Sequence, residues 1–304
     1  NVHRGALVLS TRSMKPVSFK YLSPDSLDDA LAAMAKHGAD TKLLAGGQSL
    51  IPAMNFRVLQ PAVLVDMNPL TELNYIRSGD DGGMRIGAMT RIRQLERDPL
   101  AAACAPLLHT ALPHIAHAQI RNRGTLGGSL VHADPAAELP VVTLALAARY
   151  RVQNTAGSRW IDSSAFFHGF FYTAIEPDEI MVEIALPPMP ARTGYAFLEI
   201  ARRHGDYAMA GVAALVTLDE SGVCQRARLV YLNLGDAPLD AQAAAGLLIG
   251  EKQSDELAAA VAAKAAEEEI MPMGSLHASI EYQQHLARVL TRRALIQAFE
   301  RAEQ

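Results

Sequence analysis

Adjacent glycines bordered by hydroxyl side chains occur twice, about eighty residues apart: Ala45-Gly46-Gly47-Gln48-Ser49 and Thr125-Leu126-Gly127-Gly128-Ser129. A glycine pair lets backbone approach a ligand because no Cβ intervenes, and successive N–H groups in a tight turn form a concavity that suits anions. The flanking hydroxyls add further donors to phosphate oxygens. Gly-Gly also closes ordinary turns, so one such loop carries little by itself. Two loops, each entered from an apolar or hydroxyl-rich approach and left through a short apolar segment, point to a clamp on a ligand that bears a pyrophosphate.

Other reactive side chains are sparse. His114, His117, Arg121 and Arg123 form a basic cluster ahead of the second loop. The two histidines can share a helical face, but no third ligand or neighbouring acid completes a metal site. A solvated or interface face is expected for them, with Arg121 and Arg123 placed to screen diphosphate charge. Cys104 and Cys224 are too few for a thiolate-held metal or a disulfide framework. No nucleophile, base and acid stand together in a way that suggests covalent catalysis.

The elements that must position the loops are legible in outline. Ser26 caps a helix with Asp28 and Asp29 in its first turn, Lys36 and His37 in its last, and Gly38 behind it. Lys42-Leu43-Leu44 then forms a short strand running into the first loop. Ser49 is expected to cap a turn or short helix through Ile51 to Met54, where an early Pro52 is tolerated. Strands follow at 63–66 and 84–87, Thr90 caps a helix through Leu95, and a largely helical stretch from Pro99 to Ala118 delivers the chain to the second loop. A Rossmann unit holds its glycines in one strand–turn–helix. Here the pairs fall in separate subdomains, so a nucleotide would lie between two lobes. An alternating strand occupies 180–186, and composition changes after Pro188 and Pro190. Beyond them come strands at 195–200, 208–218 and 226–234, then helices at 251–269 and 282–301.

With 304 residues the chain can form two or three domains. Its formal charge of −4 leaves no basic stripe for nucleic acid. The longest apolar run, 139–148, contains Pro140 and is too short to span a bilayer. A soluble, cytoplasmic protein is therefore expected. Residues 1–13 lack the apolar core of a secretory signal and read as a remnant of expression or upstream translation ahead of Met14.

Three stretches in order, Lys42-Leu43-Leu44-Ala45-Gly46-Gly47-Gln48-Ser49-Leu50-Ile51-Pro52, Ile120-Arg121-Asn122-Arg123-Gly124-Thr125-Leu126-Gly127-Gly128-Ser129-Leu130 and Ala133-Asp134-Pro135-Ala136-Ala137-Glu138, resemble the FAD-binding medium subunit of molybdenum hydroxylases. That family includes the medium subunit of aerobic carbon monoxide dehydrogenase and the flavin domain of xanthine dehydrogenase. A fourth, Ala201-Arg202-Arg203-His204-Gly205-Asp206-Tyr207-Ala208, resembles the opening of the family's C-terminal domain. The resemblance implies an α+β chain. A two-lobed FAD-binding domain of the vanillyl-alcohol-oxidase/PCMH type would occupy 14–190, with lobes of about 14–67 and 68–190. A smaller C-terminal domain of three antiparallel strands and a helical bundle would occupy 191–304. It places the FAD site along Lys42, Leu43, Leu44, Ala45, Gly46, Gly47, Gln48 and Ser49, and along Thr125, Gly127, Gly128 and Ser129. It gives Glu138 the place of an acid that accepts from a cofactor hydroxyl, a position that also suits a helix-initiating acid before Pro140. Asp134, beside Pro135, reads as a turn residue. Tyr207 falls where some relatives set an aromatic against the flavin ring, and Met181 near an apolar flavin contact, although both types fill cores readily. Many relatives carry a lysine at or beside Glu199; this chain has Leu198-Glu199, so the flavin-tuning role of that lysine is not carried over.

By the same resemblance the chain is an electron-transfer flavoprotein. Substrate oxidation would occur at a molybdenum–pterin centre on a large partner subunit, which also selects the substrate. Electrons would cross two 2Fe–2S clusters on a small partner, and FAD here would release them to an external acceptor. Two cysteines cannot supply such clusters, which fits that division of labour. The assembly would be a heterotrimer, doubled by symmetry. Two alternatives are a free-standing FAD-dependent oxidase or dehydrogenase and, from another class, a non-catalytic nucleotide-binding scaffold. Against the free-standing enzyme, no histidine or cysteine stands in a covalent-flavin motif.

Overall fold

The computed structural model describes residues 14–304, and the reading of the first thirteen residues lies outside it. The first lobe is built from β1 (Lys20–Leu22), α1 (Leu27–His37), β2 (Thr41–Leu44), α2 (Leu50–Asn55) and β3 (Val63–Asp66). Ser26 accepts from the Asp29 N–H at 3.1 Å, and Gly38 ends α1 at φ +57°, a conformation open to glycine. Helical spacing puts Ala30, Leu31 and Met34 on one face of α1, where they join Val63 and Val65 in a small core. The three strands pair in parallel in the order β1-β3-β2. Ser49 makes no capping bond and already has helical backbone, so α2 is entered straight from the first glycine loop.

The second lobe contains, in order, β4 (Ile76–Ser78), β5 (Met84–Gly87), α3 (Ile92–Arg97), α4 (Pro99–Cys104), α5 (Pro106–Ala111), α6 (Ala118–Arg121), α7 (Leu126–His132), α8 (Glu138–Ala145), β6 (Arg149–Asn154), β7 (Gly157–Asp162), β8 (Phe167–Gly169), β9 (Tyr172–Thr173) and β10 (Ile180–Leu186). Its antiparallel sheet runs β4-β5-β10-β6-β7. Pro106 and Pro113 break the helical stretch before the second loop into short pieces, because each lacks an N–H for the preceding turn. Thr90 does not cap α3. Its hydroxyl donates to the Tyr75 carbonyl at 3.0 Å, and Arg91 holds the cap position. Most of the apolar run at 139–148 falls in α8, whose residues are all buried, as a helix apolar on nearly every side must be.

The C-terminal part has β11 (Thr193–Ala201), β12 (Ala208–Leu218), β13 (Cys224–Leu232) and a short β14 (Leu239–Asp240) in one antiparallel sheet, the last strand adding to the three expected. It is followed by α9 (Gln242–Gly246), α10 (Asp255–Lys264) and α11 (Ile280–Glu303). Period-two alternation divides the sheet's side chains. Phe197, Ala213 and Val230 join the core of the second lobe, while Ala196, Val212, Ala214 and Tyr231 pack beneath the helices. The longest helix, α11, lies directly on β11: a Cβ built on Gly194 would sit 1.8 Å from the Ala298 carbonyl oxygen.

Candidate functional site

The first glycine loop leaves the C-terminal end of β2 and turns into α2. Among the described residues, the backbone N–H groups of Gly46, Gly47, Gln48 and Ser49 have no acceptor within the protein. Four consecutive free donors in a turn make a concavity of a kind that suits anions. Gly47 holds φ +73°, and a Cβ there would meet Leu44 at 3.1 Å and Ile51 at 3.2 Å, so glycine is needed for both conformation and space. A cleft of about 350 Å³ opens beside the loop, lined by Leu44 to Gln48, Ile51, Pro52, Asn55, Asn68 and Arg123. Lys42 is exposed on β2, and Leu43 packs towards the first-lobe core. Neither lines the cleft. A second cleft of about 380 Å³ in the C-terminal part has Arg228 and Asp240 paired with each other at 3.0 Å, so their charges offset one another.

The second loop has fewer free donors than the first. Three of its backbone donors bond within the protein: Gly127 N–H to the Ala88 carbonyl at 2.9 Å, Gly128 N–H to Thr125 Oγ1 at 3.1 Å, and Ser129 N–H to the Thr125 carbonyl at 3.1 Å. Thr125 thus caps α7, and the Ser129 side chain keeps the free hydroxyl of this loop among the described residues. The glycines here serve close packing of protein on protein. A Cβ on Gly127 would stand 2.7 Å from Ala88, and one on Gly128 would stand 2.7 Å from the Thr125 hydroxyl and 3.6 Å from Ala45. Gly46 completes the contact from the other side, since its Cβ would fall 2.5 Å from the Arg123 carbonyl oxygen and 2.7 Å from Gly124 Cα. The two loops therefore touch, as a clamp requires.

Several residues around the loops escaped the sequence reading. Asn68 donates through Nδ2 to the Ala45 carbonyl at 3.1 Å and to Asp66. Arg91 donates to Asn68 Oδ1 at 2.5 Å and to the Arg123 carbonyl. Asp66 also accepts from Tyr21 at 2.5 Å. Burial works to raise the Asp66 carboxyl, but the hydrogen bonds from Tyr21 and Asn68 and the charge of Arg123 outweigh it and hold it below the usual range. The Asn68-Pro69 dipeptide reads as a strand-ending turn, and only the fold shows that its amide faces the glycine loop. Arg121 is a correction. It is 7% exposed, and its guanidinium is held by Glu96 at 2.9 and 3.2 Å and by the Ile115 carbonyl at 2.9 Å. That pairing leaves Arg123 as the member of the pair at the cleft.

The acidic and aromatic candidates form a second group. Glu138 is 8% exposed at the start of α8, and burial together with the charge of Glu199 pushes its carboxyl up to about 8. At neutral pH it holds a proton and can donate as well as accept. His114 is half-buried rather than on an open face: Nδ1 lies 3.3 Å from Glu199 Oε1, a bond that raises the imidazole pKa against the effect of burial. Glu199 Oε2 is buried and has no partner among the described residues. His117 packs elsewhere, against Gly205, so the two histidines share no site. Among the described residues, no group of three or more His, Cys, Asp or Glu side chains could hold a metal ion. Tyr207 is 72% exposed, free to meet a planar ligand, whereas Met181 lies in the core of the second lobe.

Known proteins share this architecture. The family model for the FAD binding domain in molybdopterin dehydrogenase matches residues 17–189, and the model for the CO dehydrogenase flavoprotein C-terminal domain matches residues 195–298. The 6-hydroxypseudooxynicotine dehydrogenase complex subunit alpha of Paenarthrobacter nicotinovorans is 44% identical over 95% of this chain and 97% of its own length. The caffeine dehydrogenase subunit beta of a Pseudomonas species is 38% identical over 82% and 84% of the two chains. A chain in the structure of carbon monoxide dehydrogenase from Hydrogenophaga pseudoflava superposes with a TM-score of 0.91 at 36% identity, covering 94% of this chain and 99% of that one.

Proposed function

Because this chain belongs to the FAD-binding subunits of molybdenum hydroxylases, an oxidoreductase flavoprotein family, we propose that it takes electrons from the 2Fe–2S clusters of a small partner and passes them to an external acceptor. A large molybdenum–pterin subunit would oxidise the substrate. The observation that best supports the cofactor placement is the run of free N–H groups from Gly46 to Ser49, beside a cleft that also presents Asn55, Asn68 and Arg123. These donors suit the FAD diphosphate, with the Ser129 hydroxyl and the closely packed second loop on its other side. Thr125, Gly127 and Gly128 bring that loop into place, and Lys42, Leu43 and Leu44 carry the chain into the first.

Glu138 would meet a hydroxyl of the cofactor chain, and exposed Tyr207 the ring system. When bound, FAD supplies storage and release of electrons; the protein supplies placement and a water-poor surround. The two-lobed FAD domain would end near residue 190 and the C-terminal domain fill 191–304.

The decisive experiment releases flavin from the purified chain by denaturation. FAD without FMN is expected, since the four free donors from Gly46 to Ser49, with Arg123 and the Ser129 hydroxyl beside them, offer more than one phosphate group uses. Recovery of FMN alone would refute the diphosphate placement. Substrate oxidation by the metal-free isolated chain would favour the free-standing enzyme instead.

A further inference from the structure

We infer that Arg91, acting through Asn68, is a positioning residue that ties the two glycine loops together and sets the spacing across which a diphosphate is held. The inference rests on the FAD placement proposed above and concerns Arg91, which does not line the cleft, and the Asn68 through which it acts, which does.

Arg91 stands at the junction of both loops. Its own backbone is stitched to the second loop: Thr90 O accepts from Leu126 N–H at 3.0 Å, Ile92 N–H donates to Gly124 O at 3.0 Å, and Arg91 pairs with Thr125 as an isolated antiparallel bridge. One Nη of the guanidinium then bonds the Arg123 carbonyl, and the other bonds Asn68 Oδ1 at 2.5 Å. Asn68 passes the tie to the first loop through the Ala45 carbonyl at 3.1 Å. The same Arg123 carbonyl is the atom that a Cβ on Gly46 would strike at 2.5 Å. Two loops distant in sequence thus meet at one oxygen, and the planar fork of Arg91 fixes both sides of that meeting.

The choice of partners is informative. Arg91 is partly buried, and burial together with the neighbouring Arg123 lowers its pKa. Yet both of its bonds go to neutral oxygens, while the Asp66 carboxylate is engaged by Tyr21 and Asn68. A residue present only to neutralise Asp66 would bond it directly. The observed arrangement uses the directionality of the guanidinium to hold two backbone segments, and a lysine ammonium has no fork with which to do so.

The test uses the full chain, with FAD affinity read by flavin fluorescence on titration of apoprotein and stability read by thermal melting of the same apoprotein. Arg91→Met and Asn68→Ala should each weaken FAD roughly ten- to a hundredfold, the scale of a lost charge-assisted bond. The apoprotein midpoint should fall by no more than about 4 °C. Arg91→Lys should fail to restore affinity. Full rescue by lysine would show that charge rather than the tie is used, and a midpoint falling in step with affinity would show a general structural role; either overturns the inference. Unchanged affinity in both variants overturns it as well. If Arg91→Met does not fold, Arg91→Lys decides, since lysine keeps the charge and lacks the fork; Asn68→Ala, at a residue that also lines the cleft, is read beside it. Gly47→Val serves as the control: if it also retains FAD, the cofactor placement itself fails, whereas loss of FAD in Gly47→Val with retention in the Arg91 and Asn68 variants removes this inference only.

Discussion

At the scale of single residues, the two glycine pairs do different work although they look alike in sequence. Gly47 combines a φ of +73° with a place in the run of free donors. Gly128 instead holds the cap made by Thr125. Gly47→Val is expected to distort the donor run, and Gly128→Val to push the second loop from the first. Both should purify with little flavin, read as the ratio of flavin to protein absorbance, and retention in both would remove the basis of the site. Glu138 gives a pH prediction. Its folded pKa, pushed up to about 8, lies well above the ordinary carboxylate value of about 4.5, so the folded apoprotein keeps a proton that the unfolded chain releases in that window. Stability should therefore decline as pH rises from about 4.5 through about 8, by on the order of a few kcal/mol. His114, raised by Glu199, acts in the same direction, its contribution fading as pH climbs through its folded pKa. Glu138→Gln should flatten the curve of urea midpoint against pH for apoprotein, and an unchanged slope would contradict the assignment.

At the scale of elements, the helices show which local signals carry. The Ser26 cap and Gly38 stop of α1 are made by neighbours in sequence, and both form as read. Ser26→Ala should cost about 1 kcal/mol in urea denaturation without altering FAD content. By contrast, Thr90 and Ser49 have the right residue type for capping and do not cap, because the Thr90 hydroxyl is taken by the Tyr75 carbonyl and Ser49 already has helical backbone. Gly194 shows the reverse limit. Nothing in the local sequence marks it, yet α11 approaches so closely that a methyl group would overlap the Ala298 carbonyl. Gly194→Ala should lower stability by about 1–3 kcal/mol or more, through displacement of α11 from the sheet. A midpoint equal to that of the parent protein would show that the helix shifts without cost.

At the scale of the whole molecule, the C-terminal sheet is covered on both sides, by the second lobe and by its own helices. A change of composition near residue 190 thus marks a proposed domain border without marking a gap in the core. The proposed function has the same distributed character. The chain alone should bind FAD and leave it oxidised with any candidate substrate. Co-expression with an iron–sulfur and a molybdenum–pterin subunit should yield a heterotrimer, or twice that mass, in which substrate bleaches the flavin band. A complex lacking this chain that still reduced the physiological acceptor at full rate would argue against its proposed place as the exit for electrons.

What the sequence determined by itself is what neighbours along the chain decide: the glycine loops, the strand leading to the first, the α1 boundaries and the family that the motifs resemble. Tertiary structure alone decided which loop donors are free, because the partners of Gly127 and Gly128 include Ala88, some forty residues away. It also decided that Arg121 is held by Glu96, that His114 meets Glu199, and that Asn68 and Arg91 join the two loops. Residue type and spacing tell which hydrogen bonds a segment can make. Which of them it makes is set when distant segments arrive to compete for the same donors and acceptors.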